Sequence, residues 1–324
     1  MKPISSTEER VWAVLAHLSA LVMGMGLILP IIGWAEQRRK SKFIAYQCLQ
    51  ALGYQTLGYT IWLLGYLLFI TVIIVLMMIV AMVSPKDGDA FAASLVGFNI
   101  FFFVFVIGSL GVYLLLPIIA AVACGMGKDF RYPIMGKRLA KYLEYNAESE
   151  NGLNEDHEDR WVAAAGHFSV ILAFWGLLAP ITAWILQGKR SAWLKFQSAQ
   201  AIALHASVLI LGIIAGMFYM VGMVAFIALT GFDPESVANS SAGLMGLVVM
   251  FGSMIVALLI ALLVPLFHIA GQWAGYRVLK GDDYWYPIIG KLIARVIPPK
   301  EHWDDVSGAK NLPAREEDPS LRSG

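Results

Sequence analysis

The chain has 324 residues, of which 58% are hydrophobic and only 15% charged, against about 25% charged in an ordinary soluble domain. Six apolar stretches, roughly 11–35, 52–83, 91–126, 161–186, 196–230 and 243–279, each reach the ~20 residues that cross ~30 Å of hydrocarbon, which excludes a soluble globular domain. The runs are continuous and do not alternate with period two, which excludes a membrane β-barrel; the net charge of +1 decides nothing by itself, and no nucleic-acid partner is expected.

The N-terminal MKPISSTEER and the apolar run of about 25 residues after it do not read as a signal peptide. The run exceeds the roughly 7–15 residues of a signal core, and the same segment recurs in mid-chain. It carries His17 and Ser19 well inside it. An ionisable residue within a membrane segment is a functional candidate by default. A neutral imidazole that fixes helix packing is the alternative, and the favoured one. Gly24, Gly26 and Pro30 follow, and Trp34 stands beside the basic turn Arg38–Lys42, where tryptophan commonly anchors at the headgroups.

Residues 42–83 contain no proline. A helix of about 40 residues is roughly 60 Å long, twice the hydrocarbon thickness. Its polar start, KFIAYQCLQALGYQ, is therefore expected to lie at the interface or protrude from it. Gln47 and Gln50, spaced i and i+3, share one helix face. They bond the first segment of their own copy or, as the alternative, line a polar vestibule. The turn 84–90 leads into the third segment. Gly127 is expected to end that segment, Asp129 to accept backbone N–H groups, and Tyr132-Pro133 to open a new helix. That helix, IMGKRLAKYL, is read as a basic element lying on the bilayer against anionic headgroups. Residues 143–159 form an acidic linker.

Residues 160–201 repeat residues 10–51 at a constant offset of 150, with 14 of 42 positions identical. The identities include Arg10/Arg160, His17/His167, Ser19/Ser169, Gly26/Gly176, Pro30/Pro180, Trp34/Trp184, Gln47/Gln197 and Gln50/Gln200, which chance apolar matching would not supply. GDDYWYPIIGK at 281–291 repeats GKDFRYPIMGK at 127–137, so Asp283, Tyr286 and Pro287 make a second corner. Repeats decide architecture. The expected fold is all-α, a polytopic helical membrane protein of two pseudo-symmetric three-segment repeats. Copy one spans 8–142, the linker 143–159, copy two 160–297 and a disordered tail 298–324. Gly53, Gly58, Gly65, Gly212, Gly216 and Gly222 would permit close helix approach about a pseudo-twofold axis.

Charge sets up a conflict. Four basic regions, at 38–42, 128–141, 189–195 and 280–295, contrast with the acidic turns 84–90 and 231–236, so the basic loops and the linker are expected in the cytoplasm of a multi-pass cell-membrane protein. Three crossings per copy would put 38–42 and 189–195 on opposite sides. A re-entrant hairpin in each first segment, bent near Gly24/Gly26 and Gly176, removes the conflict. Hydropathy, the stronger general signal, favours a spanning helix with a proline kink.

No nucleophile elbow, zinc-protease motif, phosphate loop or dinucleotide fingerprint is present, and no cofactor, metal or catalytic activity is expected. An ER or DR pair six residues before HxS, a Pro-Ile-x-x-Trp step, a basic turn, QxxQA, two long apolar helices and G-x-D-(F/Y)-x-YP-I follow one another in each copy. This order resembles the small bacterial and archaeal membrane proteins related to the twenty-kilodalton subunit of the chloroplast inner-envelope translocon, over 8–142 and 158–297. The resemblance implies a non-enzymatic module that binds or scaffolds other membrane proteins. The rival is a small-solute transporter or channel. It requires His17, His167 and the four glutamines to share a wet cavity between the copies.

Overall fold

The computed structural model describes residues 6–83, 88–149, 151–231 and 233–297. The tail read over 298–324 and most of the 84–90 turn lie outside them. Copy one comprises α1 (Thr7–Leu18), a 3-10 stretch (Ser19–Leu27), α2 (Ile28–Gln37), α3 (Lys42–Val83), α4 (Gly88–Gly125) and α5 (Met135–Tyr142). Copy two comprises α6 (Glu155–Phe168), two 3-10 turns, α7 (Leu178–Gln187), α8 (Ala192–Thr230), α9 (Pro234–Asn239), α10 (Ser241–Ala261), α11 (Val264–Leu279) and α12 (Ile289–Val296). The described residues contain no strand, and the chain is the expected all-α polytopic membrane protein.

The spanning reading of the first segments is overturned. By length and apolarity Thr7–Gln37 qualifies as a membrane span, but the backbone reverses at Met23 (φ 53°, ψ −134°), and the second copy does the same at Ala173 (φ 49°, ψ −123°). The ends of the segment meet: Gln37 Nε2 donates to Glu8 Oε1 at 3.4 Å, and the Ser41 hydroxyl donates to the Glu9 carboxylate. In copy two the Arg160 guanidinium sits 5.0 Å from the Trp193 ring, closing the equivalent hairpin. A Cβ at Gly26 or Gly176 would fall 2.0 or 1.8 Å from the carbonyl oxygen of Ser19 or Ser169, so the tight reversal requires both glycines. Pro30 and Pro180 fall in the first turns of α2 and α7, where no intrahelical acceptor is lost; they start helices and do not kink them. A hairpin and two long helices per copy remove the charge conflict, because an even number of crossings would leave the copies parallel.

The long helices divide into a head and a stem. In α3 the buried residues run from Phe43 to Tyr59, whereas Ile61 is 71% and Val83 77% exposed. The stretch from Thr60 to Val83 rises about 36 Å, enough for the hydrocarbon by itself. The hairpins pack around the first parts of α3 and α8. The stems of the two copies pack differently. α3 meets α4 through rings, with Phe69 stacked on Phe105 at 4.2 Å, while α8 meets α10 through Gly222, whose Cβ would lie 2.7 Å from Ser253 Cβ. Gly53 and Gly58 also admit neighbours, Trp161 and Tyr113; Gly65, Gly212 and Gly216 face nothing within 4 Å and do not serve helix contact as expected.

Between the copies α2 lies against α7, its equivalent, and α6 lies against α3. Trp161 Nε1 donates to the Leu49 carbonyl at 2.8 Å. Trp34 is wholly buried and donates to Glu158 Oε2 at 3.2 Å, so it is not the headgroup anchor expected; Trp184, its counterpart, is 39% exposed. The stretch read as a linker is also structured. Tyr145 stacks on Tyr46 at 4.0 Å, and the Asn154 side chain caps α6 by accepting from His157 N at 3.2 Å, so the second module's first helix begins inside 143–159.

Candidate functional site

The repeated polar residues converge within each head. His17 sits on α1 and Gln47 and Gln50 on α3. The corner that follows α4 brings Asp129, Tyr132 and Pro133 back against them. Gln47 Nε2 donates to Asp129 Oδ1 at 3.0 Å and to the Phe130 carbonyl at 3.1 Å, which leaves its Oε1 facing His17 Nε2 at 3.0 Å. The imidazole therefore donates through Nε2–H, and its Nδ1 accepts from the Tyr132 hydroxyl at 3.0 Å. Both ring nitrogens are satisfied in the neutral form. Gln50 completes the latch: Nε2 donates to Gln47 Oε1 (3.1 Å) and the Phe130 carbonyl (3.0 Å), and Oε1 accepts from Tyr132 N at 2.8 Å.

Copy two reproduces the arrangement. His167 contacts Gln197 Oε1 at 3.2 Å and the Tyr286 hydroxyl at 3.1 Å; Gln200 donates to the Tyr284 carbonyl at 3.1 Å and accepts from Tyr286 N at 3.0 Å. The six His and Gln side chains are all buried. Each set bonds inside its own copy.

Ser19 and Ser169 do something else. They close the hairpin turns, Ser19 Oγ donating to the Ala16 carbonyl at 2.7 Å and Ser169 Oγ to the Gly176 carbonyl at 2.8 Å. Gln55 donates to Ser19 Oγ at 3.0 Å, and His205 stands at the same place in copy two, 3.4 Å from Ser169 Oγ. His205 is thus the counterpart of Gln55 at the same offset of 150, a pairing that a search for identical residues passes over.

The corners form as expected at their start and not at their acids. Gly127 and Gly281 take positive φ, 77° and 97°, and end the long helices. Among the described residues no backbone N–H donates to Asp129. Its carboxylate is spent on Gln47, on the Tyr145 hydroxyl at 3.3 Å and on Arg131 at 3.1 Å. Asp283 accepts from Trp193 Nε1 at 3.0 Å. α5 and α12 begin two residues after Pro133 and Pro287, without side-chain caps. The glutamines hold the corners instead, and Gly136 and Gly290 make room for them: a Cβ there would meet Gln50 Oε1 at 2.5 Å or Gln200 Oε1 at 2.8 Å. Leu139 on α5 is 2% exposed and faces the protein core, so it does not report contact with the bilayer.

One charged cluster escaped the sequence reading. At the basic face of the head, Arg38 bridges Glu158 at 2.8 Å and Asp159 at 2.7 Å, tying copy one to copy two. Burial pushes the Glu158 carboxyl up to about 7, while Arg38 and the Trp34 N–H pull it down. Its only signal in the sequence was that Glu158 and Asp159 repeat Glu8 and Glu9 at the offset of 150.

Compared with known proteins, the chain matches the model of the MamF/MmsF family, the magnetosome magnetite crystal formation protein family, over residues 8–139 and again over 158–293. No curated protein and no solved structure matches it. A relation to the chloroplast translocon subunit receives no support. The two matches coincide with the two copies and together cover most of the sequence: the chain belongs to the magnetosome magnetite crystal formation protein family, as a tandem duplication of its unit.

Proposed function

We propose that the chain is a non-enzymatic membrane scaffold that binds other membrane proteins in magnetosome formation, and that it needs no cofactor of its own. The observation that supports this most is the spent hydrogen-bonding capacity of His17, Gln47 and Gln50 and of His167, Gln197 and Gln200. These side chains lock each hairpin to its corner. A transporter working through a polar site between the repeats would need them free to face water. The head lies in the cytoplasm by the positive-inside rule. The exposed Lys137, Arg138 and Lys141 of α5, with Lys291 and Arg295 of α12, meet anionic headgroups there.

Crosslinking in native membranes followed by affinity purification tests the reading. Integral membrane proteins of the crystal-forming compartment should be recovered, and recovery should persist in His17→Gln with His167→Gln if the variant remains folded. Solute flux through proteoliposomes of the purified chain, abolished by the same substitutions, would replace the scaffold with a transporter.

A further inference from the structure

A cavity of about 710 Å³ opens in the groove between the copies, bounded by α3, α4 and α5 of the first and by α6 and α11 of the second. Its volume lies in the range of sites that hold small organic ligands, about 300–1,000 Å³. Ile61, Leu116 and Leu279 supply an apolar wall, and that wall runs into the exposed face of the stem, where Ile61 is 71% exposed. Arg138 of copy one and Lys280 of copy two line the polar end. No acidic side chain lines the cavity, and neither cation has an acidic partner among the described residues.

We propose that this groove is a binding site for one phospholipid with an anionic headgroup, its phosphate held by Arg138 and Lys280 and an acyl chain lying along the Ile61 wall. Charge and shape select the occupant together. A soluble phosphate compound would leave the apolar wall uncovered, and a neutral lipid would leave Arg138 and Lys280 without a counter-anion. Basic pockets between transmembrane helices suit such headgroups. The site occurs once per chain. In the register of the corner motifs, copy two has Leu292 and Val296 where copy one has Arg138 and Tyr142, and at the offset of 150 it has Leu204 in place of Tyr54. An anionic lipid here would fasten α5 of the first copy to α11 of the second, across the interface that the scaffold depends on.

Native mass spectrometry of the full chain in mild detergent, titrated with phosphatidylglycerol or phosphatidylcholine, tests this. One phosphatidylglycerol per chain should bind ahead of any phosphatidylcholine. Arg138→Gln with Lys280→Gln should weaken it about thirty-fold, as two charges at ~1 kcal/mol each imply. Lys189→Gln with Arg190→Gln, equal in charge but outside the groove, should leave it unchanged. Ile61→Trp should weaken the lipid by blocking the acyl path. Both lipid-site variants should keep the unmodified chain's unfolding temperature in detergent. Equal binding of the two lipids, or equal loss in both charge pairs, would overturn the proposal. So would displacement of phosphatidylglycerol by millimolar inorganic phosphate together with indifference to Ile61→Trp, which would mean a plain anion site.

Discussion

Gln50 and Gln200 each offer one amide to two backbone groups of a corner some 80 residues further on, as a neighbouring peptide would. Gln50→Ala would orphan the Tyr132 N–H and Gln200→Ala the Tyr286 N–H, while Gln47 and Gln197 keep their bonds to the Phe130 and Tyr284 carbonyls. Each orphaned buried group costs about 1–3 kcal/mol. Either substitution should lower the thermal unfolding midpoint in detergent clearly, and the two effects should add because the latches share no atoms. Unchanged midpoints would mean that the latches do not hold the corners. Glu158 carries a different signature. A carboxyl whose folded pKa, about 7, stands above its ordinary 4.5 holds its proton more tightly when folded. Stability from this group is therefore greatest at low pH and declines as pH rises from about 4.5 through about 7. The unmodified chain should lose unfolding temperature relative to Glu158→Gln between about pH 5 and 7. Parallel curves for the two proteins would remove the assignment.

At the scale of elements, the hairpins are the feature that hydropathy misreads. A window average sees apolar residues from Val11 to Ala35 and cannot see the reversal at Met23, because neither Met23 nor Ala173 is a residue that advertises positive φ. Charge distribution and the repeated glycines did register it: Gly26 and Gly176 lie three residues past the reversals. Ala173→Gly should relieve a backbone conformation that costs about 1–3 kcal/mol for a residue with a Cβ, so it should raise the unfolding midpoint, whereas Ala173→Val should lower it. A straight helix through this position would give the opposite order, since glycine costs about 1 kcal/mol in a helix interior. The corners were legible as far as Gly127 and Tyr132-Pro133 reach. The partner of Asp129 was not, because sequence shows only neighbours in the chain and Gln47 lies 82 residues away. The structured linker escaped for the same reason, since nothing local reveals that Tyr145 stacks on Tyr46.

At the scale of the molecule, two hairpins in place of two crossings predict parallel copies. Single cysteines in place of Arg39 and Arg190 should label from the same side of sealed vesicles, in a background where the buried Cys48 and Cys124 stay silent. Labelling from opposite sides would restore the inverted arrangement. The copies are joined by α2 against α7 and by α6 seated on α3, where Gly53 admits the Trp161 ring: a Cβ there would stand against Trp161 Cζ2. Arg38 adds its bridge to Glu158 and Asp159 at the rim. This interface is made of side chains and does not depend on the loop near residue 150 that connects the copies. A chain divided at that loop and expressed as two fragments should therefore co-purify as a pair. Gly53→Val should weaken the pair, because the added methyls fall where the Trp161 ring lies. Arg38→Ala should weaken the pair less than Gly53→Val, since Trp161 stays seated and Glu158 keeps its bond to Trp34. If the Gly53→Val fragments co-purified as well as the unmodified ones, the α2–α7 contact would hold the copies together without this seam.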